Sequence, residues 1–301
     1  MQKVLIITGP TGTGKTKLSV EVAKKFNTEI INGDALQVYR GMNILTAKIK
    51  EEEKDGIKHH LFDILDPSET YSIADYQTTV RDYINKLSEK NMLPIIAGGS
   101  GLYLDSVIYD YQFSSDKRND SLDNKYDKLS NEELHNILRK LNNEAAEKIH
   151  MNNRKRVLRA IELSENNNYV PEFNNKLVYD VLYICLLEDR EKLYHAINKR
   201  VDKMMEEGLL EEVTNLSKQD INITAKGAIG YKEFLPYLNG EISLAEAIDK
   251  VKQNTRHLAK RQMTWFRHRT GDNFKIININ RENFKETIDE AFNLINEWLK
   301  V

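Results

Sequence analysis

The chain has 301 residues, 40% of them hydrophobic and 30% charged, with a formal net charge of −2. That balance describes a polar globular protein of one large or two ordinary domains, and it excludes recruitment of nucleic acid by overall charge, so any basic surface must be local. A single cysteine, Cys185, excludes an intrachain disulfide and a thiolate metal cluster and fits a reducing compartment. No apolar run nears the roughly 20 residues that cross a bilayer, so a cytoplasmic protein with no membrane partner is expected.

Residues 4–8, Val-Leu-Ile-Ile-Thr, are continuously apolar, as in a strand covered on both faces. Residues 15–26 then place Leu18, Val22 and Ala23 at helical spacing, and residues 29–32 form a second short strand. A helix follows over 76–90, with Val80, Tyr83, Ile84 and Leu87 on one face, and a third strand at 93–97 breaks at Gly98-Gly99-Ser100-Gly101. This alternation predicts a parallel sheet with helices on both faces. Between 114 and 172 no strand pattern stands, and helices are predicted at 132–141 and 152–164, with a polar stretch at 165–168. Strand character returns at 178–187. One long helix is predicted from 190 to 216 and another from 243 to 269, then a strand at 274–279 and a helix at 283–299. The expected architecture is a P-loop NTPase-like α/β core built from residues 1–113 and 173–301, with a helical insertion domain at 114–172.

Gly9-Pro10-Thr11-Gly12-Thr13-Gly14-Lys15-Thr16 fits G-x-x-x-x-G-K-[ST] between a predicted strand and a predicted helix. Glycines let the backbone curl so that N–H groups converge on phosphate oxygens, and the helix adds its positive end. Lys15 supplies a mobile charge, and the Thr16 hydroxyl is a candidate ligand for Mg²⁺. Read alone, such a loop points to nucleotide and ATP binding. An ATPase or GTPase normally adds a strand ending in Asp or a base-reading motif, and neither follows here. A small-molecule kinase and another diphosphate chemistry both remain open. Asp34 closes the second strand, where α/β sheets place ligand-facing residues.

Around Asp34 stands Asn32-Gly33-Asp34-Ala35-Leu36-Gln37-Val38-Tyr39-Arg40-Gly41-Met42-Asn43, followed by Thr46-Ala47-Lys48, His59-His60-Leu61-Phe62-Asp63 and Gly98-Gly99-Ser100-Gly101-Leu102-Tyr103. Later come Ile229-Gly230-Tyr231-Lys232-Glu233 and Ala259-Lys260-Arg261-Gln262-Met263-Thr264-Trp265-Phe266. In this order, from residue 9 to residue 267, the set resembles the tRNA dimethylallyltransferases (tRNA isopentenyltransferases). The resemblance implies transfer of a dimethylallyl group from dimethylallyl diphosphate to the exocyclic amine of the adenosine 3′ of the anticodon, with release of diphosphate. It further implies a bound Mg²⁺ and a target base flipped out of its stack. Asp34 matches the family's general base, and Ser100, where Thr is usual, would assist at the same amine. The loop Gly9 to Thr16 and Arg200 would hold the diphosphate. Asp34, Ala35, Leu36, Gln37 and Ser100 would meet the flipped nucleotide. Lys155, Arg156, Val157, Leu158 and Arg159 would contact the anticodon stem-loop. Ala35, Asn43 and Leu45 also depart from the usual Ser, Asp and Gly. A monomer is expected.

Two segments concentrate positive charge. Arg154-Lys155-Arg156-Val157-Leu158-Arg159 carries four cations, and residues 248–269 carry seven with one acid, Asp249. Lys252, Arg256 and Lys260 fall on one helix face. Such local footprints favour a polymer over the free nucleotide used by an adenylate isopentenyltransferase. Trp265-Phe266 reads as core, His150 and His257 as surface. The adjacent His59-His60 would point to opposite faces of a strand and so not share a metal.

Overall fold

The structure, a computed structural model, describes residues 1–113, 125–166, 176–269 and 271–300. The boundaries expected at 114 and 172 and part of the polar stretch, 167–168, lie outside the described residues. Two compact units are formed, one from Met1–Ile108 with Leu177–Val301 and the other from Tyr109–Lys176.

The first unit is built on a six-stranded, wholly parallel sheet. Its strands are β1 (Lys3–Thr8), β2 (Ile30–Asn32), β3 (His59–His60), β4 (Ile95–Ala97), β5 (Asp180–Leu187) and β6 (Phe274–Asn278), in the order β3-β2-β4-β1-β5-β6. The apolar runs in β1 and β5 are buried almost throughout, as a doubly covered sheet requires. Early helices are α1 (Lys15–Lys25), α2 (Glu51–Lys54), α3 (Ile73–Glu89) and α4 (Gly101–Ile108). Helix α3 begins at a reciprocal capping box between Ser72 and Asp75, which satisfies two of the donors that a helix start exposes. Leu18, Val22 and Ala23 of α1 pack into the sheet core with Leu5, Ile7 and Ile184.

The second unit contains α5 (Asn131–Leu141), α6 (Asn143–Lys148) and α7 (Arg154–Glu165). Leu134, Leu138, Ala145, Val157 and Ile161 form its own small core.

Back in the first unit, the single helix expected over 190–216 is two, α8 (Arg190–Glu206) and α9 (Leu209–Ser217). Gly208 adopts φ 100, a left-handed conformation that ends one helix and admits the next. They are followed by α10 (Ile223–Lys226), α11 (Tyr231–Leu238), α12 (Leu244–Arg267) and α13 (Phe284–Lys300). Val201, Val213, Phe234, Ala247 and Val251 build a second core with Val38, Tyr39 and Met42.

The crossing of the loops after β2 and β4 leaves no room for a side chain. A Cβ on Gly98 would lie 2.1 Å from the Gly33 carbonyl oxygen, and both partners are backbone. Gly98→Ala should therefore cost about 3 kcal/mol through overpacking, read as a lowered denaturation midpoint with an unchanged slope.

Candidate active site

The order β2-β4-β1 sets three carboxyl-end loops side by side, at residues 9–14, 33–37 and 98–100. In the first, Gly9 takes φ 138, and a Cβ there would sit 2.3 Å from the Leu186 carbonyl oxygen, so β5 forces glycine. The Thr13 hydroxyl donates to the Pro10 carbonyl at 2.9 Å, and Lys15 Nζ donates to the same oxygen at 2.8 Å. Thr11, Gly12, Gly14, Lys15 and Thr16 line a cavity of about 960 Å³, whereas Gly9, Pro10 and Thr13 are buried and shape the loop. Arg281, which also lines the cavity, donates to the Gly12 carbonyl at 2.7 Å and is itself held by Glu188 through two 2.6 Å bonds.

Asn32 fixes the second loop. Its Oδ1 accepts the Asp34 N–H at 2.9 Å, its amide donates to Asp34 and Leu61 carbonyls, and its own carbonyl accepts from the Tyr76 hydroxyl. The Asp34 carboxylate accepts the Leu36 N–H at 2.9 Å and opens into the cavity beside Leu36 and Gln37. Gln37 donates to the Thr46 carbonyl at 3.0 Å. Ser100 Oγ accepts the Ala35 N–H at 3.3 Å, which leaves the hydroxyl proton to donate elsewhere.

The far wall is the segment 43–48, held by Glu212, whose carboxylate accepts the N–H groups of Asn43, Ile44 and Leu45 at 2.8–3.0 Å. Lys48 braces the same segment through Tyr39, Asn43 and Asp63. Arg200, on α8, lines the cavity and donates to the Thr11 hydroxyl at 3.1 Å.

Charge is concentrated where the loops meet. Burial lowers Lys15 to a pKa of about 8, with the Arg200 cation adding to the effect and Asp34 opposing it. Burial also raises Asp34, against the pull of the Leu36 N–H and the Lys15 ammonium. A carboxylate that holds a proton more readily than usual thus faces two cations across one cavity. The Thr16 hydroxyl is exposed beside Lys15, and no group of three or more His, Cys, Asp or Glu side chains is placed to hold a metal among the described residues. Thr16 thus offers one hard oxygen, and an Mg²⁺ there would need the rest of its ligands from water and a substrate's phosphates.

The basic segments divide into paired and exposed cations. In α7, Arg154 is spent on carbonyls of Tyr126 and Leu129, and Arg159 pairs with Glu162 at 2.6 Å. Val157 and Leu158, expected among the tRNA contacts, have side chains buried in the core of their unit. Lys155 and Arg156 are exposed. In α12, Lys252 pairs with Asp202 and Arg256 donates to Asn198, so that part of the helix face packs on α8. Arg269 pairs with buried Asp105, while Lys260, Arg261 and Arg267 are exposed. Phe266 is core, as expected, but Trp265 is exposed and sits against Gly101. His60 Nε2 bonds Glu29, and His59 Nδ1 bonds the Ile57 carbonyl. Glu212 and Arg281 carried no signal in the sequence, and Gln262 stood there only as one letter of a motif with no role attached, because each acts on backbone far away in the chain.

Strand order, glycine loop and charged cavity define an α/β protein of the P-loop NTPase-like class. The IPP transferase family matches residues 37–269. A tRNA dimethylallyltransferase of Anoxybacillus flavithermus is 48% identical over 273 residues, covering 89% of this chain and 88% of the relative. One from Enterococcus faecalis is 48% identical over 278 residues, covering 89% and 90%. The full-length tRNA isopentenylpyrophosphate transferase of Bacillus halodurans has a TM-score of 0.76 at 40% identity, with 100% of this chain and 97% of that one covered. A eukaryotic dimethylallyltransferase acting on tRNA has a TM-score of 0.84 at 28% identity, with 100% and 80% covered. The chain belongs to the IPP transferase family, that of the tRNA dimethylallyltransferases.

Proposed function

We propose that the protein transfers a dimethylallyl group from dimethylallyl diphosphate to the exocyclic amine of the adenosine 3′ of the anticodon in tRNA. The observation that carries this reading is the placement of Asp34, its proton affinity raised by burial, in one cavity with Lys15 and Arg200. An aromatic amine is a poor nucleophile because its lone pair is delocalised into the ring. A carboxylate bonded to its N–H makes it competent by accepting the proton as attack proceeds. The nitrogen–carbon bond forms as the carbon–oxygen bond to diphosphate breaks, and the amine proton passes to Asp34. The loop N–H groups, Lys15 and Arg200 stabilise the charge that develops on the departing diphosphate. Ser100 donates its hydroxyl proton at the acceptor side. Mg²⁺ at the Thr16 hydroxyl would neutralise further diphosphate charge. The loop would therefore cradle a leaving group and not ATP. A cytoplasmic setting agrees with a lone, buried Cys185.

Exposed Lys155 and Arg156 of α7 would meet the phosphates of the anticodon stem-loop. Lys155→Ala is expected to raise KM for tRNA, to reduce the salt slope of binding by about one, and to leave kcat unchanged. Titration of tRNA binding against salt checks it.

The reading is tested with purified protein, Mg²⁺, radiolabelled dimethylallyl diphosphate and unmodified tRNA bearing adenosine 3′ of the anticodon. Label should enter the RNA. Ready labelling of AMP with none in tRNA would assign an adenylate isopentenyltransferase instead, and ATP turnover with a small alcohol would overturn both.

A further inference from the structure

Gln262 lies on α12 of the first unit, between Ala259, Met263 and Phe266, which are buried. Its carboxamide spans two loops. Oε1 accepts the Thr11 N–H at 2.9 Å, and Nε2 donates to the Gly99 carbonyl at 2.9 Å. Only one orientation of the amide satisfies both partners, since an N–H must meet oxygen and a carbonyl must meet NH₂. A Cβ on Gly99 would fall 2.5 Å from Nε2, so any side chain there would displace the carboxamide.

The bonds continue on both sides. Thr11 carries the hydroxyl to which Arg200 donates, so one end of the bridge fixes the loop that faces the diphosphate cations. Gly99 precedes Ser100, whose Oγ holds the Ala35 N–H next to Asp34 and whose own N–H bonds the Gly33 carbonyl. A run of hydrogen bonds thus passes from Arg200 through Thr11, Gln262 and Ser100 to the Asp34 loop. Resting on the prenyl-transfer reading above, we propose that Gln262 is a positioning residue that sets the spacing between the loop holding the leaving group and the loops holding the acceptor amine. Gln262 lines the cavity, but both ends of its carboxamide are engaged by Thr11 and Gly99. In an in-line displacement the carbon must lie between nucleophile and leaving group, and a misplacement of about 1 Å costs on the order of 100-fold in rate.

Two variants separate positioning from support. Gln262→Met keeps length and loses both bonds, while Gln262→Glu keeps an acceptor for Thr11 but presents a carboxylate to the Gly99 carbonyl. Single-turnover transfer at saturating dimethylallyl diphosphate and tRNA should fall about 100-fold in the Met variant and by a smaller factor in the Glu variant. The Kd for inorganic pyrophosphate with Mg²⁺, measured by calorimetry, should stay within about threefold of wild type in each folded variant. Should the Met variant fail to fold, the Glu variant decides alone. A folded variant whose transfer rate stays near that of wild type would overturn the inference, as would a rate loss matched by an equal loss of pyrophosphate affinity. A wild-type protein that transfers no prenyl group would overturn the proposed function instead, before any variant is compared.

Discussion

Asp34→Asn is expected to reduce the single-turnover rate of prenyl transfer by about 10²–10⁴-fold, the span of general acid–base catalysis, while binding of inorganic pyrophosphate changes little. The substitution is nearly isosteric, and the amide oxygen can still accept the Leu36 N–H that now bonds the carboxylate. What disappears is the basic oxygen. Burial raises the Asp34 pKa above its ordinary 3.8, so the proton taken from an attacking amine is held more firmly than an exposed carboxylate would hold it. The base must be unprotonated to act, and the acid limb of the wild-type rate profile should therefore fall at a higher pH than an ordinary carboxylate gives. In Asp34→Asn that limb should vanish. A variant retaining wild-type rate would remove Asp34 from the chemistry.

Lys15→Met is expected to lower kcat/KM for the prenyl donor by about 10²–10³-fold, the scale of losing one preorganised electrostatic partner of a developing anion. Lys15 Nζ now rests on the Pro10 carbonyl, within the loop, and has to swing no further than the cavity to meet a diphosphate. Its lowered pKa, about 8, gives a second, independent signature. Diphosphate favours the ammonium, so binding raises this pKa. The lysine's contribution is complete below pH 8 and is lost as pH climbs from about 8 toward the bound-state value. Donor kcat/KM in the wild type should thus decline above pH 8, by up to about tenfold per unit, and Lys15→Met should flatten that limb. Affinity measured across pH 6–10 checks the sign.

The glycine loop and Asp34 stand out in the sequence because they lie in contiguous residues with a fixed backbone context, and the alternation of apolar runs carried the parallel sheet. What escaped was set by distance in the chain. The bond between Thr11 and Gln262 joins residues 251 apart, and Glu212 reaches back 167 residues to cap the Leu45 N–H. Neither pairing leaves a periodic pattern. Gly101, last residue of the glycine-rich break expected after the third strand, is instead the first residue of α4. Charge counting along 248–269 overstated the exposed basic surface, since Lys252, Arg256 and Arg269 find partners in Asp202, Asn198 and Asp105. Helical spacing places side chains on a common face but does not say whether that face meets solvent or another helix. The same holds in α7, where Val157 and Leu158 turn inward and only Lys155 and Arg156 of the run remain fully at the surface.

Mass spectrometry of the nucleosides released from reacted tRNA tests the central claim most directly. Incubation with Mg²⁺, dimethylallyl diphosphate and unmodified tRNA should yield adenosine bearing one dimethylallyl group on its exocyclic nitrogen, located 3′ of the anticodon and absent when Asp34→Asn replaces the wild type. Unmodified adenosine at that position after complete reaction, or a prenyl group on any other atom, would contradict the account.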